Sequence, residues 1–405
     1  MYGYARGQFQ VDYEARVDFD RLRLARVAKT QQAMRAKGLD ALVLWKDENV
    51  RYLTSLRAIM LQYRSTTQYG VILFPEGQPV LFLSGGEYAR AKEVMPWIGD
   101  FVIIPIMEEV GMVEAVTAEH TARVLREHGA EGGRVGFDGM TMPQLNAYTK
   151  HLNRAQMADG ETFMQEVRRV KLPEEIQLLR EAAAIADAVT ETAIEAVKPG
   201  VRECEVAGEA MRTLFRLGGE FAHLASPFVS SGERMSPPTR FATDKIIRNG
   251  DLVFIDIGAC WNGYFSDEGR AVICGTPSDI QRKVYRTVYD CLMVAHRGLR
   301  PSRTNNEIAA EIKQVAARAG LEQNLLHLFI GHGLGISSNE PPYIGEPQRG
   351  SSEVVLEPGM VLAVEPLIWV GGVRGGGGVR LEDTFVVTEG EPEVLTRCGF
   401  DERLL

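Results

Sequence analysis

Asn249-Gly250-Asp251-Leu252-Val253-Phe254-Ile255-Asp256 returns in outline as Pro358-Gly359-Met360-Val361-Leu362-Ala363-Val364-Glu365, with Asp256 and Glu365 standing 109 positions apart. Each copy opens on a turn glycine, runs through apolar residues and ends on a carboxylate six positions after the glycine. A second acid follows each copy, Asp267 after the first and Glu382 after the second. An apolar strand that presents an acid at its end must neutralise the charge, and a cation is the usual means. Two facing pairs of such acids, joined by a histidine, form an oxygen-rich set suited to two divalent ions. The histidine is His332, in Gly331-His332-Gly333-Leu334-Gly335.

The repetition reaches into the helices. Lys198 to Ala207 resembles Arg300 to Ala309, and the pairs Pro199 and Pro301, Glu205 and Glu307, and Gly218 and Gly320 are each 102 positions apart. A turn feeding an amphipathic helix that ends in glycine therefore occurs twice. This order predicts a duplicated α+β half-domain whose halves pack about a pseudo-two-fold axis with the four acids at the centre. Asn262-Gly263 predicts a tight hairpin that sets Asp256 and Asp267 on paired strands. Val370 to Val379 is read as a glycine-rich loop between the strands carrying Glu365 and Glu382. Its Gly375 to Gly378 run lacks a following helix and basic residue, so it is not a phosphate loop.

Upstream, residues from about Phe19 to Phe163 alternate helix and strand. Arg21 to Gly38 has helical spacing, Ala41 to Leu44 reads as a buried strand, and Val71 to Phe74 with Val80 to Leu83 as a strand pair. Asp138 and Gly139 close the last clear strand. The charged stretch from Glu166 to Glu175, with Pro173 opening a helix over Glu174 to Val197, marks a boundary. The expected domains are residues 1–165 (α/β) and 166–405 (α+β).

A length of 405 residues suits two domains, and 45% hydrophobic with 24% charged residues is ordinary for a soluble globular chain. A net charge of −9 argues against nucleic acid or an anionic membrane as partner. No signal peptide and no apolar run near the roughly 20 residues of a membrane span are visible. The five cysteines show no pairing pattern and read as thiols of a reducing compartment, so a cytoplasmic location is expected.

Taken together, these motifs resemble the pita-bread metallopeptidases, which include Xaa-Pro aminopeptidases, prolidases and methionine aminopeptidases, with creatinase as a metal-free cousin. Leu39 to Leu44 with Asn49 to Thr54 is similar to the family's N-terminal domain, and Arg169-Val170-Lys171 through Glu175 to its hinge. The resemblance implies a pita-bread C-terminal domain in which Asp256 chelates one ion, Asp267 and Glu382 bridge both, and His332 and Glu365 hold the other. It implies two divalent metal ions, with Mn²⁺ favoured by the hard oxygen ligands over Fe²⁺, Co²⁺ or Zn²⁺. Such ions lower the pKa of a shared water for attack on a peptide or amide carbonyl, with Glu365 taking and returning the proton. Arg380 is placed to hold a carboxylate or substrate, with a surface ion pair as the plainer reading. His223 is a candidate for the pocket lining, and a core or loop histidine is the alternative. Trp261 and Trp369 are read as core more readily than as substrate wall. A homodimer is implied, in which Tyr63 and Arg64 of the polar segment Gln62 to Gln68 reach a partner's pocket; an ordinary surface loop is the plainer reading.

Three positions depart from the pattern. Where peptidases of this family carry further histidines, this chain has Thr239, Asn339 and Leu328, and His327 is one residue off register. Two function classes follow. One is a metal-dependent peptidase of short Xaa-Pro peptides, with Asn339 and Thr239 as substrate hydrogen-bonding groups. The other is a small-metabolite enzyme similar to dimethylsulfoniopropionate lyase or ectoine hydrolase. Ser231 to Pro237 resembles the lyase branch, but the aspartate which that branch uses near Asn339 is absent. A hydrolase of peptide or amide bonds is the favoured reading.

Overall fold

Asp18 accepts the Arg21 backbone N–H at 2.9 Å and so caps the first helix, α1 (Phe19–Lys37). The structure is a computed structural model describing residues 17–57, 69–105, 112–223, 227–238, 241–348 and 352–405. The chain divides into two units, Met1–Arg168 and Arg169–Leu405. After α1 the first unit contains β1 (Ala41–Leu44), α2 (Asp47–Thr54), β2 (Gly70–Leu73), β3 (Val80–Leu83), α3 (Gly85–Val94), β4 (Asp100–Ile103), α4 (Met112–Glu127), β5 (Arg134–Phe137), α5 (Met142–His151), β6 (Gln156–Asp159) and α6 (Gly160–Arg169). Its strands form one mixed sheet in the order β4-β3-β2-β1-β5-β6. β1, β2 and β3 are buried along their whole length, which is why they read as apolar runs. The edge strands β4 and β6 are largely exposed or half-buried and carry no such run, so the sequence reading stopped at β5.

The second unit contains α7 (Pro173–Ala196), α8 (Glu203–Arg216), β7 (Phe221–Ala222), β8 (Phe228–Ser231), β9 (Asp251–Asp256), β10 (Ala259–Trp261), β11 (Tyr264–Phe265), β12 (Gly269–Cys274), α9 (Asp279–Gly298), α10 (Asn305–Arg318), β13 (Gly331–Gly333), β14 (Glu340–Ile344), β15 (Val361–Val364), β16 (Leu367–Trp369), β17 (Gly378–Arg380), β18 (Asp383–Val386) and β19 (Glu393–Val394). The sequence repeat is structural. α8 and α10 are both 14 residues long, and Glu205 and Glu307 perform the same task, each accepting a backbone N–H at the start of its helix at 2.8 and 3.0 Å. Gly250 and Gly359 both adopt positive φ, 92° and 88°, so the shared turn demands glycine ahead of each acidic strand.

Each half forms an antiparallel sheet, β12-β9-β8 in one and β14-β13-β15-β18-β19 in the other. They meet where Gly269 and Glu382 exchange backbone hydrogen bonds at 2.9 and 3.4 Å. α9 and α10 cover the second half with Val284, Val288, Leu292, Ile308 and Ile312 against Leu362 and Phe385. Each such burial contributes roughly 1.5–3 kcal/mol.

Two expectations change in detail. Asn262 and Gly263 do form a tight turn, with φ of 48° and 83°, but it joins the small ribbon of β10 and β11. Asp256 ends β9 opposite Gly269, and Asp267 lies two residues before the paired strand β12, so the aspartates flank the ribbon and come close to one another across that strand pair. The glycine-rich segment is the end of a β16–β17 hairpin, with Trp369 opposite Gly378. A side chain on Gly375, Gly376 or Gly378 would collide with the carbonyl of Gly250, Gly232 or Met235 respectively, so the run permits close backbone approach. Gln281 stitches the same place, its side-chain amide donating to the carbonyls of Gly250, Gly375 and Gly376 at 3.0–3.1 Å. Among the described residues, no helix is long and apolar enough to cross a membrane.

Candidate metal centre

Five strand ends converge where the two halves meet. Asp256 closes β9, Asp267 enters β12, His332 lies in β13, Glu365 follows β15 and Glu382 separates β17 from β18. All five side chains sit in residues only 1–3% exposed. His332 Nε2 lies 3.5 Å from Asp267 Oδ2 and 3.3 Å from Glu365 Oε1. Asp267, His332 and Glu382 present ligand atoms within 4.8 Å of one another, and so do His223, Asp256 and Asp267.

The His332 ring is oriented from behind. Its Nδ1 is 2.9 Å from the Gly333 carbonyl, which only accepts, so Nδ1 carries a proton. In the neutral ring this leaves a lone pair on Nε2, aimed at the carboxylates, the arrangement a metal-ligating imidazole uses. Phe329 stacks on the ring at 5.7 Å.

Arg380 is the fixed cation of the cluster. Its Nη1 stands 3.0 Å from Asp256 Oδ2 and 2.8 Å from Glu365 Oε2, and the residue is 4% exposed. A surface ion pair is therefore ruled out for Arg380. Its engagement with two cluster carboxylates makes it their partner in place of the substrate contact expected above. One guanidinium cannot balance four buried acids. Asp256 Oδ1, Asp267 Oδ1 and both Glu382 oxygens are buried without a hydrogen-bond partner. Burial pushes the Asp256 carboxyl up to about 6. Glu382 is driven well above the usual carboxylate range, by burial first and then by the charges of Asp267 and Glu365. Burial works downward on His332, but the hydrogen bonds its protonated ring donates to the Asp267 and Glu365 carboxylates outweigh it and raise the imidazole to about 10. Orphaned oxygens, elevated acids and an imidazole nitrogen directed at them, whose proton a cation would displace, fit divalent cations.

Residues around the cluster hold it in register. Thr384 donates its hydroxyl to the Asp267 carbonyl at 2.7 Å. Arg270, buried in β12, donates to the Glu382 carbonyl at 2.6 Å and to Asp383 Oδ1 at 2.8 Å, and His296 meets the other Asp383 oxygen at 2.8 Å. Asp383 thus serves Arg270 and His296. Sequence reasoning missed Arg270, although a charged residue inside the apolar run Gly269 to Cys274 was a signal that a buried partner existed. Glu268 is also buried and pushed up to about 8 by desolvation; it lies 3.2 Å from Arg270 and apart from the metal-ligand groupings. Asp251 opens β9 away from the cluster, accepting from Lys245 at 3.0 Å and the Arg248 backbone at 2.9 Å.

The candidate substrate residues divide. His223 is brought to the cluster, with Nε2 3.4 Å from Asp256 Oδ1 and 3.5 Å from Asp267 Oδ1. Asn339 is exposed, and its carbonyl accepts the Ser337 hydroxyl at 3.0 Å. Leu328 is exposed as well, and His327 pairs with Glu346 at 3.1 Å instead of joining the cluster. Trp261 is buried in the core. Thr239, Tyr63 and Arg64 lie outside the described residues.

Comparison with known proteins agrees with this architecture. Residues 177–389 match the model of metallopeptidase family M24, and residues 26–170 that of the creatinase/prolidase N-terminal domain. The chain is 32% identical to the peptidase YqhT of Bacillus subtilis over 89% of its own length and 94% of the relative's. It is 29% identical to an Xaa-Pro dipeptidase of Pyrococcus furiosus, covering 89% of this chain and 97% of the other. The solved structure of an Xaa-Pro dipeptidase from Bacillus anthracis superposes with a TM-score of 0.80 at 26% identity, over 94% of this chain and 99% of that one. On these matches, and with its duplicated pita-bread domain, the chain belongs to metallopeptidase family M24 and is a metallohydrolase of the peptidase type.

Proposed function

We propose that Asp256, Asp267, His332, Glu365 and Glu382 hold two divalent cations, Mn²⁺ by preference, and that the chain cleaves short Xaa-Pro peptides. One observation carries the reading: Asp267, His332 and Glu382 present ligand atoms within 4.8 Å of one another, both Glu382 oxygens are buried without a hydrogen-bond partner, and Arg380 is the nearby fixed cation. The likeness to Xaa-Pro dipeptidases over most of both chains supports the substrate class. When bound, such ions supply an activated water and polarise a carbonyl.

The chain's own groups do the rest. Glu365 has one oxygen anchored by Arg380 at 2.8 Å and the other turned towards His332 at 3.3 Å, so it is held as a proton acceptor in a fixed pose. Burial of the cluster keeps bulk water from competing, which strengthens each electrostatic contact there. Five cysteines, none of them in a disulfide, suit a reducing compartment. The decisive assay offers the Mn²⁺-loaded protein a panel of Xaa-Pro dipeptides and longer Xaa-Pro peptides beside ectoine and dimethylsulfoniopropionate. Turnover of the proline peptides, lost in Glu365→Ala, is expected. Turnover of a small metabolite with none of any peptide would overturn the substrate reading.

A further inference from the structure

His223 is 7% exposed and follows β7, whose Phe221 and Ala222 pair with Cys260 and Ala259 of β10. Gly258 grips this residue twice: its carbonyl accepts the His223 backbone N–H at 3.1 Å, and its own N–H donates to His223 Nδ1 at 2.7 Å. The second contact decides the state of the ring. A backbone amide only donates, so Nδ1 must offer a lone pair, and the ring proton is on Nε2. A side chain on residue 258 would fall 2.9 Å from His223 Cβ and collide with the Ser266 carbonyl, so glycine there is what lets the ring sit against the backbone. Phe228 closes the other side, edge to face at 6.2 Å.

Nε2 points between Asp256 Oδ1 and Asp267 Oδ1, at 3.4 and 3.5 Å, and both are oxygens without another partner. By distance alone His223 looks like a further metal ligand, since its nitrogen groups with the two aspartates. The tautomer argues otherwise. To ligate a cation through Nε2 while Nδ1 accepts from Gly258, the ring would need lone pairs on both nitrogens and no proton. We infer that His223 is a positioning residue whose Nε2–H is shared between Asp256 and Asp267, aligning the two carboxylates for the cation on their side without ligating it. This rests on the two-cation reading above. His332 has the complementary arrangement, Nδ1 protonated against a carbonyl and Nε2 available.

The test is long-range ¹H–¹⁵N spectroscopy of protein labelled with ¹⁵N-histidine, titrated with diamagnetic Zn²⁺, the His223 signals being assigned by their loss in His223→Gln. The expected result is a protonated Nε2 and an unprotonated Nδ1 at His223 before and after loading, while His332 Nε2 takes the metal shift. Loss of the Nε2 proton at His223 on titration, or protonation of Nδ1, overturns the inference. Metal affinity gives a second arm by calorimetry. His223→Gln can accept from Gly258 and donate to the aspartates, so it should keep both ions within about threefold of the parent affinity, whereas His223→Phe should weaken binding about 10–100-fold. Loss of one ion in His223→Gln, with both retained by the parent, makes His223 a ligand and contradicts the proposal. A parent protein that binds no metal sinks the two-cation reading instead, and the Nε2–H assignment is then read from the spectra alone.

Discussion

His223 and His332 approach the two oxygens of one carboxylate, that of Asp267, each at 3.5 Å and each through Nε2. Behind the two rings the backbone differs: Gly258 offers an N–H to one, Gly333 a carbonyl to the other. That difference of one peptide group fixes which nitrogen each neutral ring leaves free, an N–H at Nε2 of His223 and, once a cation displaces its proton, a lone pair at Nε2 of His332. Asp267 is thereby fixed from both sides, which suits a carboxylate expected to bridge two cations.

Arg380→Met should destabilise the protein prepared without added cation. Removing the guanidinium leaves Asp256 and Glu365 buried beside Asp267 and Glu382 with no fixed positive charge. Breaking a buried pair in this way costs about 3–5 kcal/mol. Urea unfolding measures the loss, and Mn²⁺ should restore much of it because cations replace the missing charge. Equal stability of variant and parent without cation would mean that the pairs contribute little.

Protons and cations compete for this cluster, and the sign follows from its raised groups. Asp256 at about 6 lies above its ordinary value, so in the cation-free protein its proton is retained on folding, and stability falls as pH rises from the carboxyl range to about 6. His332 at about 10 also lies above its ordinary value, so its contribution is complete below about 6.5 and is lost as pH rises towards 10. Cation binding must expel these protons, so the rise in melting temperature caused by Mn²⁺ should grow from pH 5.5 to pH 8, as roughly expected for displaced protons. Calorimetry in two buffers of different ionisation enthalpy should register proton release on loading at neutral pH. A binding heat independent of buffer would contradict this.

Gly375→Ala should cost well over 1 kcal/mol, because φ there is 77° and the new methyl would meet the Gly250 carbonyl. Gly371→Ala is the control, since nothing lies within 4 Å of the position its methyl would take. Thermal unfolding of the two variants checks the contrast, and similar midpoints would show that the hairpin can move away from β9.

Much of this site is legible in the sequence because the duplication is local at each end. The positive φ of Gly250 and Gly359 and the helix-starting Glu205 and Glu307 repeat for reasons intrinsic to a turn or a first helical turn. The four acids and His332 stand out for the same reason: each lies within two residues of an apolar strand. What stayed hidden depends on distant partners. The role of His223 is set by Gly258, 35 residues away, and the buried Arg270 by Asp383, 113 residues away. β4 and β6 stayed hidden because an edge strand with an exposed face shows neither alternation nor an apolar run.

The most direct measurement is anomalous diffraction from crystals grown with Mn²⁺, paired with activity before and after exhaustive chelation. The expected result is two anomalous peaks enclosed by Asp256, Asp267, His332, Glu365 and Glu382, and peptide turnover that vanishes with the metal and returns on its re-addition. No peak among these side chains, or turnover unchanged by chelation, would contradict the account.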